Sequence, residues 1–447
     1  MTTDIACIIL AAGQGTRMKS DLPKVLHKVA GRPMLRHVIT TAEQLGASRI
    51  ITVIAPGMDS VAAEAAPHAT ATQVKQRGTG DAVMAARDAL DGFDGTVLVL
   101  YGDSPLIRAE TLRDLADAQQ QGHTVAVMGM RPDDSTGYGR LKTDDSGELL
   151  AIVEHKDASE DERAIGLVNA GMMAVDGGKL FGLLDKLDSD NAQGEFYLTD
   201  IIEHARADGL TCTTIEAPEE EGRGVNSRAE QAVAEAILQQ RLREAAMAAG
   251  VTLIDPSSTY LSADTSFGRD VVIEPHVIIN TGVSLGDGVT IHAFSHLEGC
   301  TIAAHATIGP YARLRPGADI GEECRVGNFV EIKKSKLGKG AKASHLTYLG
   351  DAEIGAGSNI GAGTITCNYD GFNKSKTEIG EGVFIGSNSA LVAPVKIGNG
   401  AIVGAGSIVT KDVSDDALAV ARGKQVERAD WAKSFRAREI ARRNKAS

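Results

Sequence analysis

The sequence predicts a chain of mixed fold class: an N-terminal α/β domain with a mostly parallel sheet, a long connecting helix, and a C-terminal left-handed parallel β-helix. Three observations predict it. Apolar runs alternate with helical stretches over the first 225 residues, a segment without Gly or Pro follows, and an aliphatic residue then recurs every six residues. Neither a helical period of 3.6 nor a heptad generates that spacing, whereas hexapeptide repeats are typical of β-helices.

The first domain, placed at residues 1–226, alternates strands with helices. Apolar and β-branched runs predict strands at 5–10, 49–55, 96–101 and 124–130. Helical periodicity and Ala-rich composition predict helices at 33–45, 81–90 and 109–121. Such alternation is typical of a parallel sheet covered on both faces. Ligands of such sheets bind beyond the carboxyl ends of the strands.

A single long helix is predicted at residues 227–249, between the two domains. The segment is rich in Ala, Glu, Gln, Arg and Leu. Ser227 is a suitable N-cap residue, and Gly250 is suited to end the helix.

The third segment, residues 250–447, contains the six-residue repeat. The in-phase positions are Ile273, Ile279, Leu285, Ile291, Leu297, Ile302, Ile308, Leu314, Ile320, Val326, Ile332, Ile354, Ile360, Ile379, Ile385, Leu391, Ile397, Val403 and Val409. Each unit lays down one short strand with its aliphatic residue inward, and three units close a triangular coil whose core continues into the next coil. Thr366–Glu378 breaks the phase, so we expect an extruded loop there. The tail after Arg422 is basic and helix-prone.

Composition excludes several classes of protein. The net charge of -13 argues against a general nucleic-acid or membrane-surface binder. The five Cys residues show no CxxC pair, which suits a reducing cytoplasm, and Cys324 is expected to pack inside the repeat. The N-terminus lacks the basic flank of a signal peptide, and no apolar run approaches the length of a bilayer span.

A Gly-rich turn follows the first predicted strand. Leu10–Met18 reads LAAGQGTRM, and backbone N–H groups of such a turn can approach phosphate oxygens. The turn is neither a complete GxGxxG nor a P-loop. Arg17 and Lys24 follow it and would offset the charge of a triphosphate. Asp103, just after the strand at 96–101, is a candidate Mg²⁺ ligand.

These motifs carry a resemblance that covers the chain from Ile5 to about Arg422. The order LAAGxGTRM, PK, QxxQxGTG, YGD, GYGR, EHKDA and GVN, joined to hexapeptide repeats, resembles the bacterial family of bifunctional N-acetylglucosamine-1-phosphate uridyltransferase / glucosamine-1-phosphate acetyltransferase enzymes. The resemblance implies a Rossmann-like nucleotidyltransferase domain and an acetyltransferase β-helix. It also implies a role in supplying UDP-N-acetylglucosamine for peptidoglycan and lipopolysaccharide synthesis.

For the first domain, the resemblance implies Mg²⁺-dependent uridyl transfer from UTP to N-acetylglucosamine 1-phosphate. Asp103 and Asn226 would hold the metal. The residues that would bind nucleotide, phosphates, uracil, ribose and sugar are Leu10, Ala11, Ala12, Gly13, Arg17, Lys24, Gln73, Gly78, Thr79, Tyr101, Gly102, Asp103, Gly139, Glu154, Asn169 and Asn226. Two positions depart from the family: Asp81 stands where His is frequent, and Ala170 where Thr is frequent.

For the β-helix, the resemblance implies acetyl transfer from acetyl-CoA to glucosamine 1-phosphate. An amine must be neutral to attack a thioester, and His is the natural base near pH 7. His345 would be that base, with Glu331 orienting it. The sugar phosphate would contact Arg315, Lys333, Tyr348, Asn359 and Lys374, and acetyl-CoA would contact Ala362, Asn368, Tyr369, Ser387, Ala405 and Arg422.

Two alternatives to the two-site enzyme stay open at this point. One is a single-activity sugar-1-phosphate nucleotidyltransferase whose β-helix only assembles the protein. The other makes the β-helix a pure trimerisation scaffold, which predicts no polar cluster beside the loop. We also expect a cytoplasmic homotrimer, in which the loop reaches a neighbouring prism because it is too polar to fold back onto its own coil.

Overall fold

The computed structural model describes residues 4–191 and 193–446, which form two compact units. The first unit extends to Ala245 and includes Leu261–Ala263. The second contains Ala246–Tyr260 and the chain from Asp264 onward.

The first unit is built on a nine-stranded sheet. Its strands and a short hairpin are β1 (Ile5–Leu10), β2 (Lys28–Val29), β3 (Arg32–Pro33), β4 (Arg49–Ile54), β5 (Ala69–Thr72), β6 (Thr96–Tyr101), β7 (Val125–Met130), β8 (Arg140–Thr143), β9 (Leu149–Val153), β10 (Val168–Asp176) and β11 (Cys212–Glu216). The order β11-β7-β10-β6-β1-β4-β5 is parallel except at β10, which runs antiparallel to β6 and β7. The predicted mostly parallel sheet is confirmed.

Helices cover this sheet. They are α1 (Met34–Leu45), α2 (Asp59–Ala65), α3 (Thr79–Met84), α4 (Ala109–Gln120), α5 (Glu160–Arg163), α6 (Gly177–Leu184), α7 (Ile201–Ala207) and α8 (Glu219–Gly222), with 3-10 turns at Thr16–Met18, Lys24–Leu26, Asp88–Leu90 and Leu198–Asp200. The helix expected at 81–90 ends early, because i→i+3 hydrogen bonds replace α-helical ones from Ala86 to Leu90.

Both faces of the sheet are buried, as the near-continuous apolar strands require. In β1, Cys7 and Ile9 belong to one hydrophobic cluster, whereas Ala6 and Ile8 belong to the cluster on the opposite face. The polar groups at the carboxyl ends of β1 and β6 are therefore held on a rigid, fully packed support.

The long helix α9 spans Arg228–Ala248, as predicted. Its start is a reciprocal capping box: Ser227 Oγ accepts from the Glu230 N–H at 3.3 Å, and the Glu230 carboxylate accepts from the Ser227 N–H at 2.9 Å. Gly250 follows the helix with a φ of 95°, a left-handed conformation that glycine adopts without strain.

The second unit is a left-handed parallel β-helix whose three sheets run along its three faces. Sheet I contains Thr252–Leu253, Val272–Ile273, Thr290–Ile291, Thr307–Ile308, Arg325–Asn328, Lys342–His345, Asn359–Ile360, Phe384–Ile385, Ile402–Val403 and Leu418–Ala419. Sheet II contains Ser266–Phe267, Ser284–Leu285, Cys300–Ile302, Ala318–Ile320, Lys336–Leu337, Ala352–Ile354, Thr377–Ile379 and Val395–Ile397. Sheet III contains Ile278–Ile279, His296–Leu297, Arg313–Leu314, Glu331–Lys333, Tyr348–Gly350, Ile365–Cys367, Ala390–Val392 and Ile408–Val409.

The predicted aliphatic core is confirmed, because every in-phase position is buried. Cys324 is also buried, as expected. The gap that the sequence pattern left between Ile332 and Ile354 is filled by Leu337, Ala343 and Leu349. The aliphatic pattern missed these slots because one of them holds a small residue and because five-residue steps shift the phase on both sides.

One corner of the β-helix carries an exposed aromatic ladder, composed of His276, Phe294, Tyr311 and Phe329. Successive ring centroids are 4.9, 4.9 and 5.2 Å apart. All four residues have a φ between 56° and 60°, which is uncommon for residues other than glycine. The same corner therefore repeats in each coil and stacks one ring on the next.

The loop and the tail complete the second unit. The chain leaves the β-helix after Cys367 and returns at Thr377, so the segment outside the strands is shorter than the Thr366–Glu378 expected. The basic tail forms α10 (Trp431–Ala446), as predicted. Within residues 4–191 and 193–446, no helix combines the length and the apolar character needed to cross a bilayer.

Candidate functional sites

A cavity of about 530 Å³ opens at the carboxyl ends of β1 and β6 in the first unit. Ten of the residues expected to bind nucleotide line it: Leu10, Ala11, Ala12, Gly13, Lys24, Gln73, Gly78, Thr79, Tyr101 and Asp103. Gly102 lies behind this wall, with its N–H bonded to the Leu10 carbonyl at 3.0 Å. Arg17 is exposed on the adjacent 3-10 turn. Gln14, Gln76 and Glu195 also line the cavity and were not predicted.

The Gly-rich turn packs directly against Lys24. Gly15 has a φ of 62°, and a Cβ at this position would lie 2.5 Å from Lys24 Cβ. Only glycine permits this backbone conformation and this close approach without strain. The turn therefore fixes where the lysine side chain starts.

Lys24 joins two residues that are far apart in sequence. Its ammonium forms a short ion pair with Asp103 Oδ2 and donates to Asn226 Oδ1 at 2.9 Å. The Asn226 Nδ2 group donates to the Gly224 carbonyl at 3.4 Å, which turns the amide oxygen toward the lysine. Two oxygen ligands thus converge on one cationic group at the cavity rim.

This oxygen pair fits a divalent cation. The Lys24 ammonium occupies the position of a cation between a carboxylate and an amide oxygen. Mg²⁺ takes few protein ligands and completes its shell with water and phosphate oxygens.

The far end of the cavity is closed by Gln73 and the start of α3. Gln73 is buried, and its Nε2 donates to the Gly78 carbonyl at 3.1 Å and to Asp81 Oδ2 at 3.0 Å. Gly78 has a φ of 113°, and a Cβ there would lie 2.6 Å from the Phe196 carbonyl oxygen. The backbone at this end is therefore held by direct main-chain contact.

A second cavity of about 340 Å³ shares Thr79, Tyr101 and Glu195 with the first. Glu154 and Asn169, both expected to contact the sugar, line it. The Gly139 carbonyl accepts from the Asn169 N–H at 2.8 Å. Sequence reasoning missed further lining residues, namely Gln193, Tyr197 and Thr199; they lie in a segment whose sequence carries no motif or period that would single them out.

Carboxylates make this second cavity acidic. Burial raises the pKa of Glu154, and the carboxylates of Asp200 and Asp157 raise it further. Burial, followed by the charges of Asp103 and Glu154, also raises the pKa of Tyr101. The cavity thus offers a tyrosine hydroxyl and carboxylates as hydrogen-bonding groups for a neutral polar molecule.

The second unit gathers cationic groups on sheet III. Arg315 Nη1 donates to Glu331 Oε1 at 2.8 Å, and Arg313 lies 3.8 Å from the other oxygen. The nearby ammonium of Lys374 lowers the pKa of Lys333. A phosphate bound between these two ammonium groups would offset the repulsion between their positive charges.

The exposed ring of His345 is held by Asn328. Its Nδ1 lies 2.7 Å from Asn328 Oδ1, one coil earlier in the same sheet. Glu331 pairs with Arg315 on sheet III, and its expected role in orienting His345 stays a prediction. Sequence reasoning missed Asn328, although its 17-residue separation from His345 corresponds to one coil.

Four of the residues expected at acetyl-CoA, namely Ala362, Ser387, Ala405 and Arg422, form a line along one edge of the β-helix. The Asn388 N–H bonds to the Ala362 carbonyl at 2.7 Å, and the Gly406 N–H bonds to the Ser387 carbonyl at 2.8 Å. Arg422 Nη1 donates to the Ala405 carbonyl at 2.6 Å. Ala362, Ser387 and Ala405 thus occupy equivalent corners of successive coils. Tyr348 lies in sheet III, and Asn359 begins the sheet I strand that leads directly to Ala362.

The start of the loop packs against its own coil, whereas residues 369–374 are exposed. Asn368 is buried and donates to Asp351 Oδ2 in a short hydrogen bond. Within the loop, an isolated strand bridge joins Tyr369 to Lys374. Phe372 is 93% exposed and Tyr369 is 59% exposed, and the expected contact of the loop with a neighbouring prism stays a prediction.

Comparisons with known proteins cover both units. The family described as "MobA-like NTP transferase domain" matches residues 7–165, and "Bacterial transferase hexapeptide (six repeats)" matches residues 299–334 and 376–411. Proteins named "Bifunctional protein GlmU" are similar over nearly the whole length. That of Paramagnetospirillum magneticum is 54% identical over 447 residues, covering 99% of both chains. That of Parvibaculum lavamentivorans is 56% identical over 443 residues, covering 98% of both chains.

Proposed function

Because the chain belongs to the GlmU family of bifunctional proteins, we propose that it makes UDP-N-acetylglucosamine by two transfers. The β-helix, residues 250–447, acetylates glucosamine 1-phosphate with acetyl-CoA. The α/β domain, residues 1–226, then transfers a uridyl group from UTP to N-acetylglucosamine 1-phosphate. The observation that carries the proposal is that each unit has its own polar site and that the relatives span both.

In the uridyl transfer, a phosphate oxygen of the sugar phosphate attacks the α-phosphorus of UTP. The new P–O bond forms as the bond to the β-phosphate oxygen breaks, and pyrophosphate leaves. Mg²⁺ bound between Asp103 and Asn226 would neutralise phosphate charge. Arg17 and Lys24 bind the triphosphate, and the turn at Ala12–Gly13 offers N–H groups to it. Catalysis here is alignment and charge neutralisation, so no protein nucleophile is needed.

The two adjoining cavities support this alignment. The larger one, with Gln73, Gly78 and Thr79 at its closed end, takes the uracil, and the smaller one, with Glu154 and Asn169, takes the acetylated sugar. Tyr101 lines both. The reacting phosphates would meet where the two cavities share a wall.

In the acetyl transfer, His345 accepts the proton from the sugar amine. Since Asn328 Oδ1 can only accept, the His345 Nδ1 that faces it carries the ring proton, and Nε2 keeps its lone pair. The amine attacks the thioester carbonyl as its proton passes to Nε2, and the C–S bond then breaks. The thiolate of CoA leaves and takes up the proton.

Arg315, Lys333 and Lys374 bind the phosphate of this substrate. A phosphate offsets the repulsion that lowers the pKa of Lys333. Ala362, Asn368, Tyr369, Ser387, Ala405 and Arg422 bind acetyl-CoA along the edge of the β-helix, with the alanines contacting it through their backbone.

The proposed assembly is a homotrimer. Sheet II presents basic and acidic side chains in turn to solvent, in which Lys336 pairs with Asp319 and Lys396 with Glu378. The charged groups of that face are therefore paired and solvated without a partner chain. The aromatic ladder at another corner is half-exposed and would be covered by a neighbouring β-helix. Light scattering should give three times the chain mass of 46.7 kDa. A monomer with full acetyl transfer would contradict it.

UTP and acetyl-CoA as substrates place the reaction in the cytoplasm. The deciding experiment has two arms. One measures thiol release from acetyl-CoA with glucosamine 1-phosphate, and the other measures pyrophosphate release from UTP with N-acetylglucosamine 1-phosphate. Activity in the second arm alone would favour a single-activity nucleotidyltransferase with a non-catalytic β-helix.

A further inference from the structure

Both N–H protons of the Gln73 side-chain amide donate hydrogen bonds. Nε2 faces the Gly78 carbonyl at 3.1 Å and Asp81 Oδ2 at 3.0 Å. A main-chain carbonyl and a carboxylate can only accept hydrogen bonds. The orientation of the amide is therefore set by chemistry, since the opposite orientation would place three acceptor oxygens together.

This orientation leaves Gln73 Oε1 as the group that the amide can offer to the nucleotide cavity. Gln73 lines that cavity, whereas Asp81 is not among its lining residues. A bound base therefore meets a hydrogen-bond acceptor of fixed orientation. The Asp81 carboxylate, which fixes that orientation, does not itself line the cavity.

Asp81 is itself held by an ion pair. Its Oδ1 accepts from Arg77 Nε at 3.1 Å and from Arg77 Nη2 at 2.6 Å. The guanidinium of Arg77 lies 4.9 Å from the ring centroid of Phe196. With Oδ1 committed to Arg77, Oδ2 is left to Gln73. A histidine, which is frequent at this position in the family that the sequence resembles, would bring a ring N–H or lone pair instead of this permanent acceptor.

We propose that Asp81 is a positioning residue for base selection, which orients Gln73 so that its carbonyl oxygen faces the base; this rests on the proposed use of UTP. Uracil presents an N–H at ring position 3 and can donate to that oxygen. Cytosine presents a lone pair at the same position, which a fixed oxygen repels. A site whose polar groups are committed discriminates strongly against a base that leaves them unpaired.

The test compares kcat/KM for UTP and for CTP in the uridyl-transfer assay. In Asp81→Ala, Gln73 loses a charge-assisted hydrogen bond, so the preference for UTP should fall about tenfold. The change should appear in KM for UTP with kcat within twofold of wild type, because the base is remote from the reacting phosphorus. Asp81→Asn keeps one oxygen for Gln73 and should lose only about threefold.

The matched control is Asp185→Ala. Asp185 accepts from Arg87 Nη2 at 2.5 Å, and Arg87 lies 4.9 Å from the ring centroid of Phe181. This cluster repeats the Arg–Asp–Phe arrangement but touches neither cavity, so its loss should leave the UTP preference unchanged.

The role of Gln73 as the intermediary is tested by a double-mutant cycle. In a Gln73→Ala background, Asp81→Ala should cause no further loss of preference. A folded Asp81→Ala enzyme with the wild-type preference would overturn the proposal, and so would an undiminished effect of Asp81→Ala in the absence of Gln73. If Asp81→Ala does not fold, an unchanged preference in Asp81→Asn overturns it. A wild-type enzyme that releases no pyrophosphate from UTP would instead refute the proposed function.

Discussion

Replacing Asp103 by alanine should separate the two activities. Asp103 is the proposed metal ligand and also the carboxylate partner of Lys24. Removing one preorganised charged group at a developing charge typically costs about 10²–10³ in kcat, or about 2.7–4 kcal/mol. Since this substitution removes a ligand and frees the lysine, we expect a loss of at least about 10³-fold in uridyl transfer. Acetyl transfer uses groups of the other unit and should be retained.

The cost to folding should be much smaller than the cost to catalysis. The side chains of Lys24 and Asp103 are 15% and 14% exposed, so the lysine left behind loses a partner in a poorly solvated place. It keeps Asn226 Oδ1 at 2.9 Å, which puts the loss of unfolding free energy near the lower end of about 1–3 kcal/mol. Asp208→Ala is the matched control, because it removes a carboxylate from a Lys186 pair whose side chains are 41% and 43% exposed.

The assay is pyrophosphate release and CoA thiol release measured on the same preparation, with urea unfolding to check the fold. Asp208→Ala should change unfolding by about 0–1 kcal/mol and leave both activities unchanged. The reasoning fails if folded Asp103→Ala keeps uridyl transfer within tenfold of wild type. It fails equally if both activities are lost together in a folded protein.

Three further outcomes are expected. His345→Ala should lower acetyl transfer by roughly 10²–10⁴-fold in the thiol assay without changing uridyl transfer, and a rate within threefold of wild type would mean that another group takes the proton. Gly15→Ala should destabilise the first unit by at least about 1 kcal/mol in urea unfolding and displace Lys24, whereas Gly13→Ala, with nothing within 4 Å of the added Cβ, should fold normally. Burial lowers the pKa of His37 to about 4. As pH falls from about 6.5, His37 is therefore protonated in the unfolded state before it is protonated in the folded state. The free energy of unfolding should drop by about 3 kcal/mol down to about pH 4. The corresponding slope of unfolding free energy against pH should be absent in His37→Gln.

The β-helix was predictable because its information is local and repeated. Each buried Ile, Leu or Val belongs to a six-residue unit, so the pattern alone gives the core. The six-residue pattern failed at Ala343 and Thr366, which point inward but are not Ile, Leu or Val. They are 0% and 1% exposed. Thr366 is accepted there because its hydroxyl donates to the Gly350 carbonyl at 3.1 Å, a compensation that no single-residue pattern contains.

The candidate sites were predictable as sets of residues but not as contacts. The motifs place Lys24, Asp103 and Asn226 in one site. The side-chain contacts of Lys24, however, reach residues that are 79 and 202 positions further along the chain. The resemblance suggested Glu331 as the residue that orients His345, whereas the contact that the structure shows is with Asn328, one coil earlier. Pairing along a solenoid follows the repeat length, so counting one coil back from a functional residue is more informative than searching for the nearest carboxylate.

The loop between Cys367 and Thr377 has an evolutionary consequence. The strands on either side pair with neighbouring coils in the usual register: Ala352–Ile354 opposite Thr377–Ile379, and Ile365–Cys367 opposite Ala390–Val392. The main chain thus leaves the stack at a corner and rejoins it with no change in the order of the coils. Segments inserted at such corners can vary in length and sequence while selection on the core stays the same. The scaffold and its chemistry are in this sense free to diverge at different rates.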